Sequence, residues 1–442
     1  MAEPHESNRN SSFSLKGIVK YANKLYRLFD GFRALKDSRA ANHCVELADA
    51  VNVAFMMLLT GKESMNRIFG ARLSGGNTLK NCMLSGPNAR VPSRSTVERI
   101  LAQVDPWELK QMIWSMCRKA VRNGALKDAK IDGHTIGIVD GIQIYSSQKK
   151  KCDTHCQTAV HRNGTETYSH KMTVLSTPCL GGDTGHLVLS YTFLGPRDPG
   201  QKQEGELTGG KRLMQELKEQ MPGTFDIVTG DALYGNAPSI NAVRAAGAQA
   251  VVRLKDDDRL LKREADEKFD HGRCIGESFL GRDRDGNMVL VMAQHACFEM
   301  AGVPGKVRVV RFTELPVDHD GKLLTTQEKG QPIPDEETSY MISTDLDLRV
   351  TTIWKVKNIR WDIENSCFHV LTTDFHIKHL YSHMAAEQIT ALTLIAFNLR
   401  NLYLFRFRKR DFVGKGYALW DVTDSLRQDL YRYPIASLLS GP

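Results

Sequence analysis

Residues 131–255 hold the pattern that most limits what this chain can become. Ile136, Ile138, Ile142 and Ile144 mark a strand around Asp140, and Thr167–Thr177 and His186–Leu194 follow as two more. The polar, amphipathic stretch Gln203–Met221 then reads as a helix and Phe225–Thr229 as a buried strand ending at Gly230-Asp231. Pro238–Ala246 reads as a short helix and Gln249–Lys255 as a further strand. Three meander strands followed by alternating helix and strand leave few topologies open. The simplest is α/β: a mixed five-stranded sheet with helices on its faces.

The flanks read differently. Residues 1–12 are Ser/Asn-rich and too polar to bury anything, so a disordered tail is expected. From Phe13 to about Lys130 the pattern is helical. The run Val51–Leu59 forms a nearly continuous apolar helix, and Ser95-Thr96-Val97-Glu98 fits a capping box after the break at Pro92. Beyond Lys255 the rhythm breaks. The charged run Asp256-Asp257-Asp258-Arg259 precedes strand-like segments at Met288–Ala293, Lys306–Phe312 and Ser339–Ile342. Turns such as Gly302-Val303-Pro304-Gly305 and Gly330-Gln331-Pro332 separate them, which predicts a mainly β insertion. Trp354 to about Arg410 is helical again.

Bulk properties narrow the class further. A net charge of +8 tolerates a polyanionic partner without demanding one. Nine cysteines, scattered from Cys44 to Cys367, form no even disulfide framework. With no basic-plus-apolar leader at the N-terminus, a reducing, cytoplasmic setting is expected. No apolar run reaches the ~18 residues of a membrane span. The longest, Ala50–Gly61 and Gln388–Leu399, read as buried helices.

Three acids stand where acids are expensive. Asp140 lies within an isoleucine-rich strand, Asp231 ends a buried strand before Ala232-Leu233-Tyr234, and Glu364 lies on a helix beginning Arg360-Trp361-Asp362-Ile363. A carboxylate in apolar surroundings needs a partner, and a divalent cation is a good one. Mg²⁺ prefers oxygen ligands and commonly works with a few carboxylates and substrate phosphate, a combination suited to phosphoryl transfer. The bland alternatives are a turn or cap residue for each Asp and a solvated face for the Glu. Asp132, beside Gly133, competes with Asp140 but sits before the strand core.

Asp140-Gly141-Ile142-Gln143-Ile144-Tyr145-Ser146-Ser147 resembles the first catalytic strand of the DDE transposases of bacterial insertion sequences. Gly230-Asp231-Ala232-Leu233-Tyr234 resembles their second motif, and Arg360-Trp361-Asp362-Ile363-Glu364-Asn365-Ser366 their third. The resemblance covers about residues 90–400, and the gap between the second and third motifs suits the subgroup with a β-rich insertion. It implies an RNase H-like catalytic domain and Asp140, Asp231 and Glu364 as catalytic residues holding two Mg²⁺ ions, with Mn²⁺ able to substitute. Arg360 would hold a DNA phosphate or orient Glu364, and Tyr234 would pack beside the metals or touch DNA. The chain departs from the family where a Tyr often precedes the Arg, here Lys357, and where a Lys often follows the Glu, here Leu371. The second departure removes a phosphate contact that Lys378 or His379 would have to replace.

Other signals are less specific. Cys152-Asp153-Thr154-His155-Cys156, followed by His161, has short zinc-like spacing at Cys152 and Cys156, but a second Cys pair is missing. The competing reading is a polar loop in which Lys149, Lys150 and Lys151 meet phosphates. His369, His376, His379 and His383 cluster without an HExxH pattern, so structural or DNA-contacting roles are expected. Between residues 355 and 410 nine Lys/Arg face four Asp/Glu, interleaved with aromatics near Tyr403–Arg410. That fits either a DNA-tracking surface or a helix with a buried aromatic stripe. Arg94 and Arg99 on the Ser95 helix fit a recognition helix or a plain packing helix.

The organisation expected is a tail (1–12), a helical DNA-binding region (13–130) and the first part of the catalytic core (131–255). The β-rich insertion (256–350), the last part of the core with its Glu-bearing helix (351–411) and a C-terminal tail (412–442) complete it. The function implied by the resemblance is metal-dependent cleavage at transposon ends and transfer of the 3′-hydroxyl into target DNA. Partners would be double-stranded DNA, both terminal inverted repeats and target, with a dimer in the synaptic complex, no membrane, and a nucleoid-associated location. Two alternatives stay open: a catalytically silent DNA-binding derivative, and a hydrolase using two carboxylates for acid–base work without metal.

Overall fold

The computed structural model describes residues 14–61, 75–86, 88–152, 155–182, 185–196, 203–255, 260–324, 337–379, 381–411 and 419–440. The expected tail at 1–12, the Asp256–Arg259 run and the turn at residues 330–332 lie outside the described residues. Two compact units form: Leu126–His369, and the residues up to Ala125 together with those from Val370 onward. Among the described residues, no helix is long and apolar enough to cross a membrane.

The Leu126–His369 unit is built on one sheet. Its core strands are β1 (Ile136–Ser147), β3 (Glu166–Ser176), β4 (Val188–Leu194), β5 (Ile227–Gly230) and β6 (Gln249–Leu254), with a short β2 (Gln157–Val160) paired to the start of β3. The core order is β4-β3-β1-β5-β6. β3 runs antiparallel to β1 and β4, while β1, β5 and β6 are mutually parallel. Ile136, Ile138, Val139, Ile227 and Val228 are buried, as expected of central parallel strands covered on both faces. The helix Glu206–Gln220 covers β3 and β4. It approaches so closely at Gly209 that a Cβ there would strike Thr173 and Leu194.

The β-rich insertion does not stand apart from this sheet. Its strands β7 (Ile275–Arg282), β8 (Met288–Glu299), β9 (Lys306–Pro316) and β10 (Glu337–Ser343) form an antiparallel meander, and β10 pairs with β6. The helix Val350–Ile359 is moored to the insertion. Trp354 sets its ring edge-on to Phe279 at 5.6 Å, and its indole N–H donates to Glu314 Oε1 on β9 at 3.1 Å. The Lys357 ammonium pairs with the same buried Glu314 carboxylate. Past Arg360 the backbone loosens into a π-helix, Ile363–Phe368, a geometry frequent at functional sites.

The second unit is helical. Its central helix, Leu47–Leu59, is apolar all round and buried almost throughout. Two polar side chains interrupt it: Asp49 accepts from the Leu84 and Ser85 amides, and Asn52 donates its side-chain amide N–H to the Cys82 carbonyl at 2.6 Å. The Arg94–Leu101 helix is capped by Ser93, whose hydroxyl accepts from the Thr96 amide at 3.2 Å. The cap therefore lies two residues before the Ser95 expected from the sequence. Glu98 is drawn instead into an ion pair with Arg94 at 2.8 Å. Residues 412–442, read as a tail, carry the helices Leu419–Arg432 and Ile435–Ser440.

Removing one partner of a buried ion pair strands the other charge, at a cost of about 3–5 kcal/mol. Glu314→Gln and Lys357→Met are each expected to destabilise the protein on that scale, and the double variant by clearly less than the sum. Denaturant unfolding of the four proteins measures the coupling, and strict additivity would show that the pair contributes none.

Candidate active site

The register of the sheet brings the first two acids together. In the parallel pair β1–β5, Val139 lies opposite Gly230, so the next residues follow side by side, Asp140 still within β1 and Asp231 just past the end of β5. Neighbouring strands are about 4.8 Å apart. Both acids lie toward the carboxyl end of β5, the edge at which open α/β sheets place their ligands. Asp231 caps the 3₁₀ turn Ala232–Tyr234, with Oδ1 accepting from the Leu233 amide at 2.9 Å. Asp140 is buried within β1 and accepts from the Gly141 amide at 2.8 Å.

Glu364 enters from the π-helix. Its carboxylate accepts a hydrogen bond from Arg360 at 3.0 Å, and Arg360 is itself buried with its guanidinium 4.7 Å from the Trp361 ring centre. Arg284, from the turn between β7 and β8, stacks on the same indole at 5.0 Å. Asp362 ties the motif down from the other side. It accepts from the Cys179 amide and the Ser366 hydroxyl and lies 3.3 Å from His186 Nε2. Burial pushes the Asp362 carboxyl up, but His186 and Ser366 outweigh it and hold it below its ordinary value.

A fourth acid, Glu206, joins the three that the sequence singles out. It opens the helix Glu206–Gln220 and accepts from the Tyr234 hydroxyl at 2.9 Å. It fits against β1 because residue 141 is glycine, since a Cβ there would collide with the Glu206 carboxylate. Residue patterning missed it because an acid in the first turn of a helix is ordinary. The available signal was its pairing with small residues, Gly209 and Gly210 on its own helix and Gly141 beside Asp140.

The four carboxylates share one field. Burial pushes Asp140 up to about 7, with Glu206 and Glu364 adding to the rise and the Gly141 amide and Arg360 opposing it. Glu206 is also raised, by burial first and then by Asp231 and Glu364, against the Tyr234 hydrogen bond. Burial and the neighbouring Glu206 raise the Tyr234 phenol, so it stays a hydrogen-bond donor. Such crowding of hard oxygen donors is the environment that a divalent cation relieves.

Other sequence-derived residues fall elsewhere. Asp132, the rival of Asp140, has φ +48° and is committed to Lys355 at 2.6 Å, to Thr352, and to Arg349. Tyr234 is buried, with its ring against Gly210 and Gly230, and presents no open face for DNA. Lys149, Lys150 and Lys151 are exposed on the loop after β1. Arg94, Arg99, Lys378 and His379 belong to the helical unit and are exposed. Of the basic residues counted between 355 and 410, Lys355, Lys357, Arg360 and Arg400 are held in ion pairs, Arg400 buried on Asp374 at 2.9 Å. Tyr403 is buried and packs with Tyr21 and Phe407, the arrangement of an aromatic stripe. Leu371, at the position of the family's lysine, is buried.

The sheet is RNase H-like, with Asp140 inside its first core strand, Asp231 just past its fourth and Glu364 on a following helix. Residues 131–399 match the transposase DDE domain family, and the chain belongs to that family. No curated protein matches the chain.

The raised Asp140 carboxyl has a consequence for stability. The folded state holds this proton up to about pH 7 while the unfolded chain releases it near 3.8. Folding stability from this group is therefore lost as pH rises between those values. Relative to Asp140→Asn, the metal-free wild type is expected to lose thermal stability steadily from about pH 4 to 7. A pH-independent difference between the two melting curves would contradict the assigned shift.

Proposed function

We propose that this transposase-family chain cuts phosphodiester bonds at the ends of a DNA element and joins the freed 3′-hydroxyl to target DNA. The convergence of Asp140, Asp231, Glu364 and Glu206 on one edge of the sheet carries the reading. An oxygen-only donor set, in which burial and neighbouring acids raise Asp140 and Glu206, fits Mg²⁺, or Mn²⁺ in its place. Asp140, Asp231 and Glu364 would hold two such ions, which when bound supply Lewis-acid stabilisation of the phosphoryl oxygens and an activated attacking oxygen.

The chain's own groups prepare that site. Arg360 fixes the Glu364 carboxylate, leaving its other oxygen for a ligand. Tyr234 holds Glu206, and the burial of Asp140 limits competition from water. In the first step water attacks phosphorus in line and the 3′-oxygen of the element departs as a hydroxyl, leaving a 5′-phosphate. In the second, that 3′-hydroxyl attacks a target phosphodiester and displaces the target's own 3′-oxygen. The exposed lysines 149–151, the Arg94–Leu101 helix, Lys378 and His379 are the surfaces offered to terminal repeats and target duplex, and bringing two ends together requires at least a dimer.

Cleavage of a labelled duplex carrying an element end tests the reading. Activity is expected with Mg²⁺ and none in EDTA, and Asp231→Asn or Glu364→Gln should lower the rate by at least on the order of 10²–10³-fold while DNA binding persists. Cleavage that resists EDTA would point to acid–base hydrolysis. Binding without cleavage in the wild type would leave a silent DNA-binding derivative. In the same binding assay, Arg94→Ala or Arg99→Ala should reduce the salt slope by about one per lost phosphate contact. An unchanged slope would make that helix a packing element.

A further inference from the structure

We propose that Cys152, Cys156 and His170 bind a zinc ion that fastens the loop after β1 to strand β3. The two cysteine sulfurs lie 3.5 Å apart, and each is 3.1 Å from His170 Nε2. Around tetrahedral zinc, with bonds of 2.3 Å to sulfur and 2.0–2.1 Å to nitrogen, sulfurs stand about 3.8 Å apart and sulfur and nitrogen about 3.5 Å. The three donors therefore need to spread by only a few tenths of an ångström. Their separation also excludes a disulfide, whose sulfurs lie about 2.05 Å apart, and both cysteines are free thiols.

The surroundings fit a structural metal. The Cys152 amide donates to Cys156 Sγ at 3.2 Å, the kind of contact that steadies a metal-bound thiolate. Cys156 and His170 are buried, and the His170 ring is flanked by Tyr145 at 5.3 Å and Phe193 at 6.3 Å. His161, the partner suggested by the sequence, is instead exposed, with its Nε2 2.8 Å from the Thr167 hydroxyl. The spacing of three residues between the cysteines is a common zinc spacing, but the missing donor comes from β3, held opposite Tyr145 by the β1–β3 ladder. A water or a further donor completes the tetrahedron. Soft sulfur and imidazole donors select zinc, whereas the all-oxygen carboxylate cluster selects Mg²⁺, so the two sites sort their metals by chemistry. The ion would fix the loop that carries Lys149, Lys150 and Lys151.

Metal content of the purified full chain, washed with a mild chelator and assayed without DNA, tests this separately from any transposase activity. One zinc per chain is expected, lost in Cys152→Ser and Cys156→Ser and retained in His161→Ala and Asp140→Asn. Cobalt substitution of the wild type should produce thiolate-to-cobalt charge-transfer bands, which keeps the proposal testable if the cysteine variants fail to fold. Wild type without zinc and without those bands would overturn it. So would folded cysteine variants that keep their full zinc, or zinc lost from Asp140→Asn alone.

Discussion

The parallel pairing of β1 with β5 is the constraint on which the rest of the site depends. It brings Asp140, inside β1, beside Asp231, just past the end of β5. Two carboxylates on neighbouring strands repel, and the fold adds Glu206 and Glu364 to the same field. The arrangement is poor for a bare protein and good for one that binds cations, a local cost that the sheet around it must support.

The insertion has a mechanical part in this. By extending the sheet from β6 through β10 to β7, it builds a wall against which the third-motif helix is set. Trp354, Lys357 and Glu314 secure the helix there, and Arg284 reaches Trp361 beside Arg360. Lys357, which departs from the family pattern, thus has its counterpart in Glu314 on β9. On the far side, Asp362 and His186 bind the π-helix to the segment before β4. Glu364 is thus positioned from two directions, from the insertion and from the segment before β4.

Charge shows how counting and structure can part. The basic residues near the third motif suggest a polyanion surface. Four of them are instead consumed by Asp132, Glu314, Glu364 and Asp374. Positive charge that remains exposed lies in places such as the lysines after β1 and Arg99 on the Arg94–Leu101 helix.

The sequence alone determined the order of the main strands and helices of residues 131–255 and the β character of the insertion, and it singled out three acids, because alternation, apolar runs and short motifs are local properties of the chain. The ends of the elements read within 131–255 agree to a few residues, while β2, β7 and the helix Leu260–Asp270 escaped the reading and β8 runs six residues longer than expected. Only the tertiary structure decided what distant residues do together. Glu206 was invisible because its meaning depends on Gly141, 65 positions earlier. His170 replaced His161 beside Cys152 and Cys156 because a β ladder, not sequence proximity, sets which imidazole faces the loop. Ser93 displaced Ser95 as the helix cap because the choice rests on which hydroxyl reaches an open amide. Hydrogen bonds and ion pairs between remote segments are settled by packing, and packing is a property of the whole fold.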